Sequence, residues 1–254
     1  MEKELSGMTA LVTGASRGIG AATVALFSRQ GAARLLIHYN THREGAERAA
    51  AGARAAGAEA ETVQANLGTV EGIEALAGEI RRRNAPIDIL VNNAGSLVKR
   101  AKLLEFTPDL FDEVVNLNVK SLWFLTQAVA PAMIDRGSGA IVNVSSIAAR
   151  NGGGPGATIY SAAKAAVSAI TKGLAKELAP RGIRVNAVSP GTVDNHFHEV
   201  FSTAPMLESM RQMTPAGTLG TNEEVADTIL FLCSRAGRYI HGQTIEVNGG
   251  MYMV

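Results

Sequence analysis

Thr9-Ala-Leu-Val-Thr-Gly14-Ala-Ser-Arg-Gly18-Ile-Gly20 sets an apolar strand directly against a glycine-rich turn, and helix-period sequence follows to Arg29. Glycines at such a turn let the chain close tightly. They also let an anion reach the first N–H groups of the helix, where the dipole favours negative charge. The spacing is Gly-x-x-x-Gly-x-Gly, not the Gly-x-Gly-x-x-Gly of the usual dinucleotide fingerprint. What marks this turn is its position, after the first strand and before the first helix.

The same alternation continues downstream. Leu35–His38, Ile87–Val91, Ala140–Val144, Val185–Val188 and Thr244–Val247 predict buried strands, with a short one at Val63–Ala65. Helical periodicity runs over Gly20–Arg29, Arg43–Ala55, Val70–Arg83, Leu110–Ile134, Ser161–Leu178 and Glu223–Leu232. Each parallel crossover needs a covering element, so this order calls for a parallel sheet with helices on both faces. The expectation is the α/β class: a single doubly wound domain over residues 1–254, with a sheet of about seven strands. Residues 189–222, rich in Pro, Thr and Met, break the rhythm and read as an irregular loop; 192–216 is the expected lid.

The 254 residues carry 24 Lys+Arg against 23 Asp+Glu, a net charge of +1, too weak a field to imply nucleic acid or a membrane surface as partner. A single cysteine, Cys233, excludes an intrachain disulfide and a Cys-based zinc site. The N-terminal residues show no signal-peptide core, and no long apolar run follows, so a reduced, cytoplasmic location is expected. His196 and His198 stand near Glu199 with no third convincing ligand, so no metal site is expected.

Tyr160-Ser-Ala-Ala-Lys164 puts a phenol and an ammonium one helical turn apart on one face. A nearby cation favours the phenolate and makes a tyrosine usable as an acid/base group. The motif keeps company with Gly14-x-x-x-Gly18-x-Gly20, Asn92-Asn93-Ala94-Gly95 after a strand, Asn118, Ser146 and Pro190-Gly191. That series resembles the short-chain dehydrogenase/reductase family from Thr9 to Val247-Asn-Gly-Gly250. The short loops and the Glu246-Val-Asn-Gly-Gly ending are most similar to 3-oxoacyl-acyl-carrier-protein reductases and related ketoreductases.

The resemblance implies a Rossmann-like fold and reversible hydride transfer between a nicotinamide and a ketone or alcohol. It makes Tyr160 the proton donor or acceptor, with Lys164 binding the nicotinamide ribose and depressing the Tyr160 pKa. Ser146 would orient the substrate oxygen, with adjacent Ser145 the weaker candidate. Asn118, with Asn116 competing, would hold a water that links Lys164 to solvent. The cofactor is expected against Gly14, Ser16, Arg17, Gly18, Ile19 and Gly20, against Asn93, Ala94 and Gly95, and against Pro190, Gly191 and Val193, with Tyr160 and Lys164 at its reactive end.

At the end of the second strand an acidic residue would bind the ribose hydroxyls of NAD and repel a 2′-phosphate. Here the sequence is Tyr39-Asn40-Thr41, with no acid, and Arg17 with Asn40 and Thr41 fits a phosphate. NADP(H) is therefore favoured over NAD(H). Asn66-Leu67 stands where the family usually places Asp for the adenine amino group, and an amide oxygen can accept that bond. After Pro190-Gly191 the chain reads Thr192-Val-Asp-Asn195, so the Val193 backbone is the expected carboxamide contact.

The expected substrate is a 3-oxoacyl thioester or small carbonyl compound, free or linked to an acyl carrier. Arg136 and Arg181 are the candidates, by resemblance, for docking such a carrier. A sugar or polyol dehydrogenase is the alternative; a non-catalytic nucleotide binder would not need Ser146, Tyr160 and Lys164 together. Apolar surface on Leu110–Ile134 and Ser161–Leu178 predicts a homo-oligomer, dimer or tetramer.

Overall fold

The computed structural model describes residues 3–83 and 86–254. Seven parallel strands form one sheet in the order β3-β2-β1-β4-β5-β6-β7. They are β1 (Thr9–Val12), β2 (Arg34–Tyr39), β3 (Glu59–Gln64), β4 (Ile89–Asn92), β5 (Gly139–Val144), β6 (Ile183–Pro190) and β7 (Thr244–Val247). The order reverses between β1 and β4, so a crevice opens beyond their carboxyl ends.

Along β1 the side chains alternate between two cores. Ala10 and Val12 pack with Val24 and Phe27 of α1 (Gly18–Arg29), Ala50 of α2 (Arg43–Ala55) and Ile229 of α10 (Asn222–Cys233). Leu11 points the other way, to Leu76 of α3 (Val70–Arg82), Leu125 of α5 (Ser121–Arg136) and Leu174 of α7 (Thr158–Leu178). The period-2 pattern of a strand thus feeds both helical layers. Phe27 is fully buried, and truncating such a side chain to Ala costs about 3–5 kcal/mol.

Three expectations need correction. The third strand covers Glu59–Gln64 rather than Val63–Ala65: it is an edge strand, and exposed Glu59, Glu61 and Gln64 hid its alternation. The long helix over Leu110–Ile134 is broken. α4 (Pro108–Val115) ends in a π-helical turn at Asn116–Lys120 before α5 begins. There Asn118 Nδ2 donates to Val114 O (2.9 Å) and to Ser96 O (2.9 Å), while Asn116 Nδ2 donates to Gly68 O (3.1 Å). Side chains that compete for helix carbonyls favour such a bulge.

The lid is not irregular. It folds as α8 (His196–Phe201) and α9 (Ala204–Met213), whose N-termini are capped by the side chains of Asn195 and Thr203. The remaining short helix, α6 (Ala148–Asn151), leads from β5 toward α7. No helix among the described residues is long and apolar enough to cross a membrane.

Candidate active site

At the end of β1 the glycine turn is tied to its neighbours by strand-end groups. Thr13 Oγ1 accepts from the N–H groups of Asn93 and Ala94 (both 3.0 Å), and Asn93 Nδ2 donates to Thr13 O (2.8 Å) and Gly14 O (3.0 Å). The turn leaves no room for larger residues. A Cβ on Gly20 would lie 2.5 Å from Gly14 O, and one on Gly14, at φ +63°, 2.9 Å from Ala94 Cα. Beyond it α1 starts without a side-chain cap, so its first N–H groups face the crevice as an anion site.

His38 was not foreseen. Fully inside β2, it accepts the Gly14 N–H at Nδ1 (3.1 Å) and donates from Nε2 to Ala65 O (3.1 Å), which assigns the neutral tautomer. Burial pushes its pKa down to about 4, with the Ala65 hydrogen bond opposing. The only signal in the sequence was a polar residue in an otherwise aliphatic strand, Leu35-Leu-Ile-His38.

A cavity of about 670 Å³ runs from Arg17, Gly18 and Ile19 past Asn93, Ala94 and Gly95 to Ser146, Tyr160 and Lys164, with Pro190, Gly191 and Val193 on its wall. Lys164 is buried on α7, and its Nζ donates to Val144 O at 2.8 Å. Its ammonium lies 5.7 Å from the centre of the Tyr160 ring. A Cβ on Gly95 would sit 2.7 Å from both Lys164 Nζ and Asn118 Oδ1. That oxygen is buried without a hydrogen-bond partner. The π-turn therefore aims Asn118 at the lysine, where Asn116, bonded to Gly68, is turned away. Ser145 Oγ donates to Lys164 O (2.9 Å) and meets Ser168 Oγ (3.0 Å), so it braces α7.

Burial dominates the electrostatics. It pushes the Tyr160 phenol up to about 12, and a hydrogen bond from Ser146 pulls the other way. It pushes Lys164 down to about 8. Lys164, whose ammonium donates to Val144 O, is not among the groups that shift the phenol here, and the lowering hydrogen bond comes from Ser146.

The remaining expected cofactor residues lie outside the cavity. Tyr39 and Leu67 are core side chains. Asn66, exposed, accepts at Oδ1 from Gly68 N (3.0 Å) and from Asn40 Nδ2 at the end of β2 (3.4 Å). Asn40 and Thr41 are exposed at the end of β2. Ser16 and Gly20 shape the turn behind the cavity wall.

Arg136 and Arg181 do not form a rim of this cleft. Arg136 donates to Ile87 O (2.9 Å) and pairs with Asp88 (3.3 Å) beside the start of β4; Arg181 lies in the turn just before β6. Both belong to the amino edge of the sheet, and the eight residues of β6 span about 26 Å. The cleft is at the carboxyl edge.

The donor set fits a nicotinamide dinucleotide: a glycine cradle at a helix N-terminus, and an orphaned buried oxygen beside a lysine at the far end. Comparison with known proteins agrees. A family model described as enoyl-(acyl carrier protein) reductase matches residues 14–252. A 3-oxoacyl-[acyl-carrier-protein] reductase of Synechocystis sp. is 40% identical over 250 residues, 98% of each chain. A Beutenbergia cavernae protein, assigned as an NAD(P)-dependent gluconate 5-dehydrogenase and holding NADP at low occupancy, superposes with a TM-score of 0.91 at 35% identity over 99% of both chains. A 7α-hydroxysteroid dehydrogenase complexed with NADH and 7-oxoglycochenodeoxycholic acid superposes with a TM-score of 0.90 at 31% identity, over 98% of this chain and 96% of its own.

Proposed function

The chain belongs to the short-chain dehydrogenase/reductase family, and from that premise we propose an NADP(H)-dependent reductase of a 3-oxoacyl thioester or similar ketone. The observation that carries this reading is the meeting of Ser146, Tyr160 and Lys164 in the cavity that begins at the glycine turn. The nicotinamide, when bound, supplies the hydride to the carbonyl carbon.

The chain's residues manage the oxygen. Tyr160 is a neutral phenol near pH 7, since burial holds its pKa at about 12, so it stands ready to give its proton as the carbon–oxygen π bond breaks. Ser146 donates to the same oxygen and stabilises the charge developing there. Lys164, still largely protonated at neutral pH, holds the ribose and returns a proton toward Tyr160, with Asn118 Oδ1 bridging to solvent through water. Arg17 at the cavity entrance and the absence of an acid at Tyr39-Asn40-Thr41 support NADP(H) over NAD(H).

The 3-oxoacyl reading draws on the Synechocystis relative; a polyol or sugar acid is the second reading, favoured by the Beutenbergia cavernae relative. A homo-oligomer through α5 is supported by the exposure of Trp123 and Phe124. The lone buried Cys233 accords with a cytoplasmic location.

The test is turnover with NADPH and NADH over ethyl acetoacetate, carrier-linked and pantetheine-linked 3-oxoacyl thioesters, an enoyl thioester and a polyhydroxy ketone. Reduction of the 3-oxo compounds with NADPH is expected. Turnover of the enoyl thioester or polyhydroxy ketone alone would overturn the reading.

A further inference from the structure

The substrate end of the cleft is closed by α8, and one side chain of that helix stands over the reacting group. The Phe197 ring centre is 5.8 Å from that of Tyr160. It is held there from two sides, by Phe201 at 5.0 Å and by His198 in an edge contact at 5.2 Å. The spacings are those of attractive aromatic pairs. A substrate carbonyl that reaches Tyr160 therefore carries its nearest substituent against the Phe197 face.

The polar side chains around this end each hold at least one hydrogen bond within the protein. Asn195 Nδ2 donates to Asn222 (3.0 Å), and its Oδ1 accepts from Phe197 N (3.1 Å). His198 Nδ1 meets Ser202 Oγ (2.9 Å), and His196 Nδ1 meets Glu199 (2.9 Å). Asn151 Oδ1 accepts from Gly153 N (2.9 Å). Arg100, the cation at this end, donates from Nε to Phe201 O (2.8 Å) and from Nη1 to Pro155 O (2.9 Å), clasping the lid to the loop before α7. Beside Phe197 the wall is apolar at Leu97, Ile147, Val200, Met210 and Met213, with Ser96 and Thr192 as its small hydroxyl groups. A polyhydroxy substrate needs several free donors and acceptors, and a buried hydroxyl without one is costly.

Resting on the reductase reading above, we infer that Phe197 is the specificity-determining residue, and that it selects neutral ketones bearing a flat apolar ring next to the reacting carbonyl over straight-chain and polyhydroxy ketones. Methionines and a valine on the surrounding wall adapt to the outline of such a ring. The aromatic face contributes where the ring lies, one bond from the carbon that receives hydride.

The experiment compares kcat/KM for ethyl benzoylacetate, ethyl acetoacetate and a polyhydroxy ketone in wild type, Phe197→Ala and Phe197→Tyr, with NADPH affinity measured by titration on each. The wild type should prefer the benzoyl ester by about tenfold, the worth of one good aromatic contact. Phe197→Ala should bring the two esters within about twofold by raising KM for the benzoyl ester, and Phe197→Tyr should restore the preference. Unchanged NADPH affinity shows that the variants are folded. A wild-type preference for the acetoacetyl ester or the polyhydroxy ketone, or an equal loss on both esters in Phe197→Ala, would overturn the inference while leaving ketone reduction intact. Failure of the wild type to reduce either ester would overturn both the inference and the reductase reading.

Discussion

A histidine whose pKa is pushed down to about 4 supports each half of the cleft, and the two are held in opposite ways. In the cofactor half, His38 is fixed by two backbone groups, Gly14 N–H and Ala65 C=O, from the ends of neighbouring strands. In the lid half, His198 is lowered by burial first and by the nearby Arg100 charge second, with Asp194 opposing, and its Nδ1 partner is Ser202 of the same lid. One half is built into the sheet. The other is a short helical segment clasped to the body by Arg100. The contrast teaches where change is tolerated: an altered cofactor half disturbs strand ends, whereas an altered lid changes only what the lid touches.

The largest break in that comparison comes at the seam between the halves. Tyr160→Phe keeps the ring against Phe197 and removes the hydroxyl, so kcat should fall at least about a hundredfold while NADPH affinity stays within about twofold. Stopped-flow turnover and a binding titration check the two numbers, and retention of a tenth of the wild-type rate would remove Tyr160 from its role.

Acid tests the histidines themselves. A folded-state pKa of about 4 against the ordinary 6.5 means that the unfolded chain binds protons the folded one refuses. Stability is therefore fully present above pH 6.5 and is lost as pH falls toward 4. For His38 the loss is on the order of 3 kcal/mol; His198, less deeply set, contributes less. Denaturant melts between pH 7 and 4 should show this slope. It should flatten in His38→Leu more than in His198→Leu.

Arg17→Ala separates the two ends of the cofactor half. It should weaken NADPH by about 2 kcal/mol relative to NADH, the worth of a charge-assisted contact to a phosphate. Equal weakening of both cofactors would show that Arg17 serves the shared pyrophosphate instead. His38→Leu is the complementary case. The lost acceptor for Gly14 N–H lies behind a part common to both cofactors, so NADPH and NADH should weaken alike, by about 1 kcal/mol. The smallest effect belongs to the lid clasp. Arg100→Leu frees the carbonyls of Phe201 and Pro155 at an exposed edge, and ketone KM should rise about threefold with NADPH affinity unchanged.

Much of the cofactor half was legible in the chain. Gly14, Gly18 and Gly20 behind an aliphatic strand, and Tyr160 one helical turn from Lys164, are local patterns whose geometry follows from the periods of strand and helix. The polar edge strand Glu59–Gln64 was legible only at its end, as Val63–Ala65, because solvent on one side masks the alternation of the rest. The π-turn at Asn116–Lys120 was not legible: it exists because Gly68 and Ser96, distant in sequence, present carbonyls to Asn116 and Asn118.

The sequence by itself determined the alternation of the main strands and helices, the glycine turn and the Tyr-x-x-x-Lys pair, since each depends on contacts within a few residues. Only the tertiary structure decided the rest. It aimed Asn118 rather than Asn116 at Lys164, bonded Ser145 to α7, and turned Asn66 onto Gly68 N. It placed Arg136 and Arg181 at the far edge of the sheet and set Phe197 over Tyr160. The physical reason is common to these cases: a side chain's hydrogen-bonding capacity and its protonation depend on which distant groups the fold brings within about 3 Å, and on how much water it excludes.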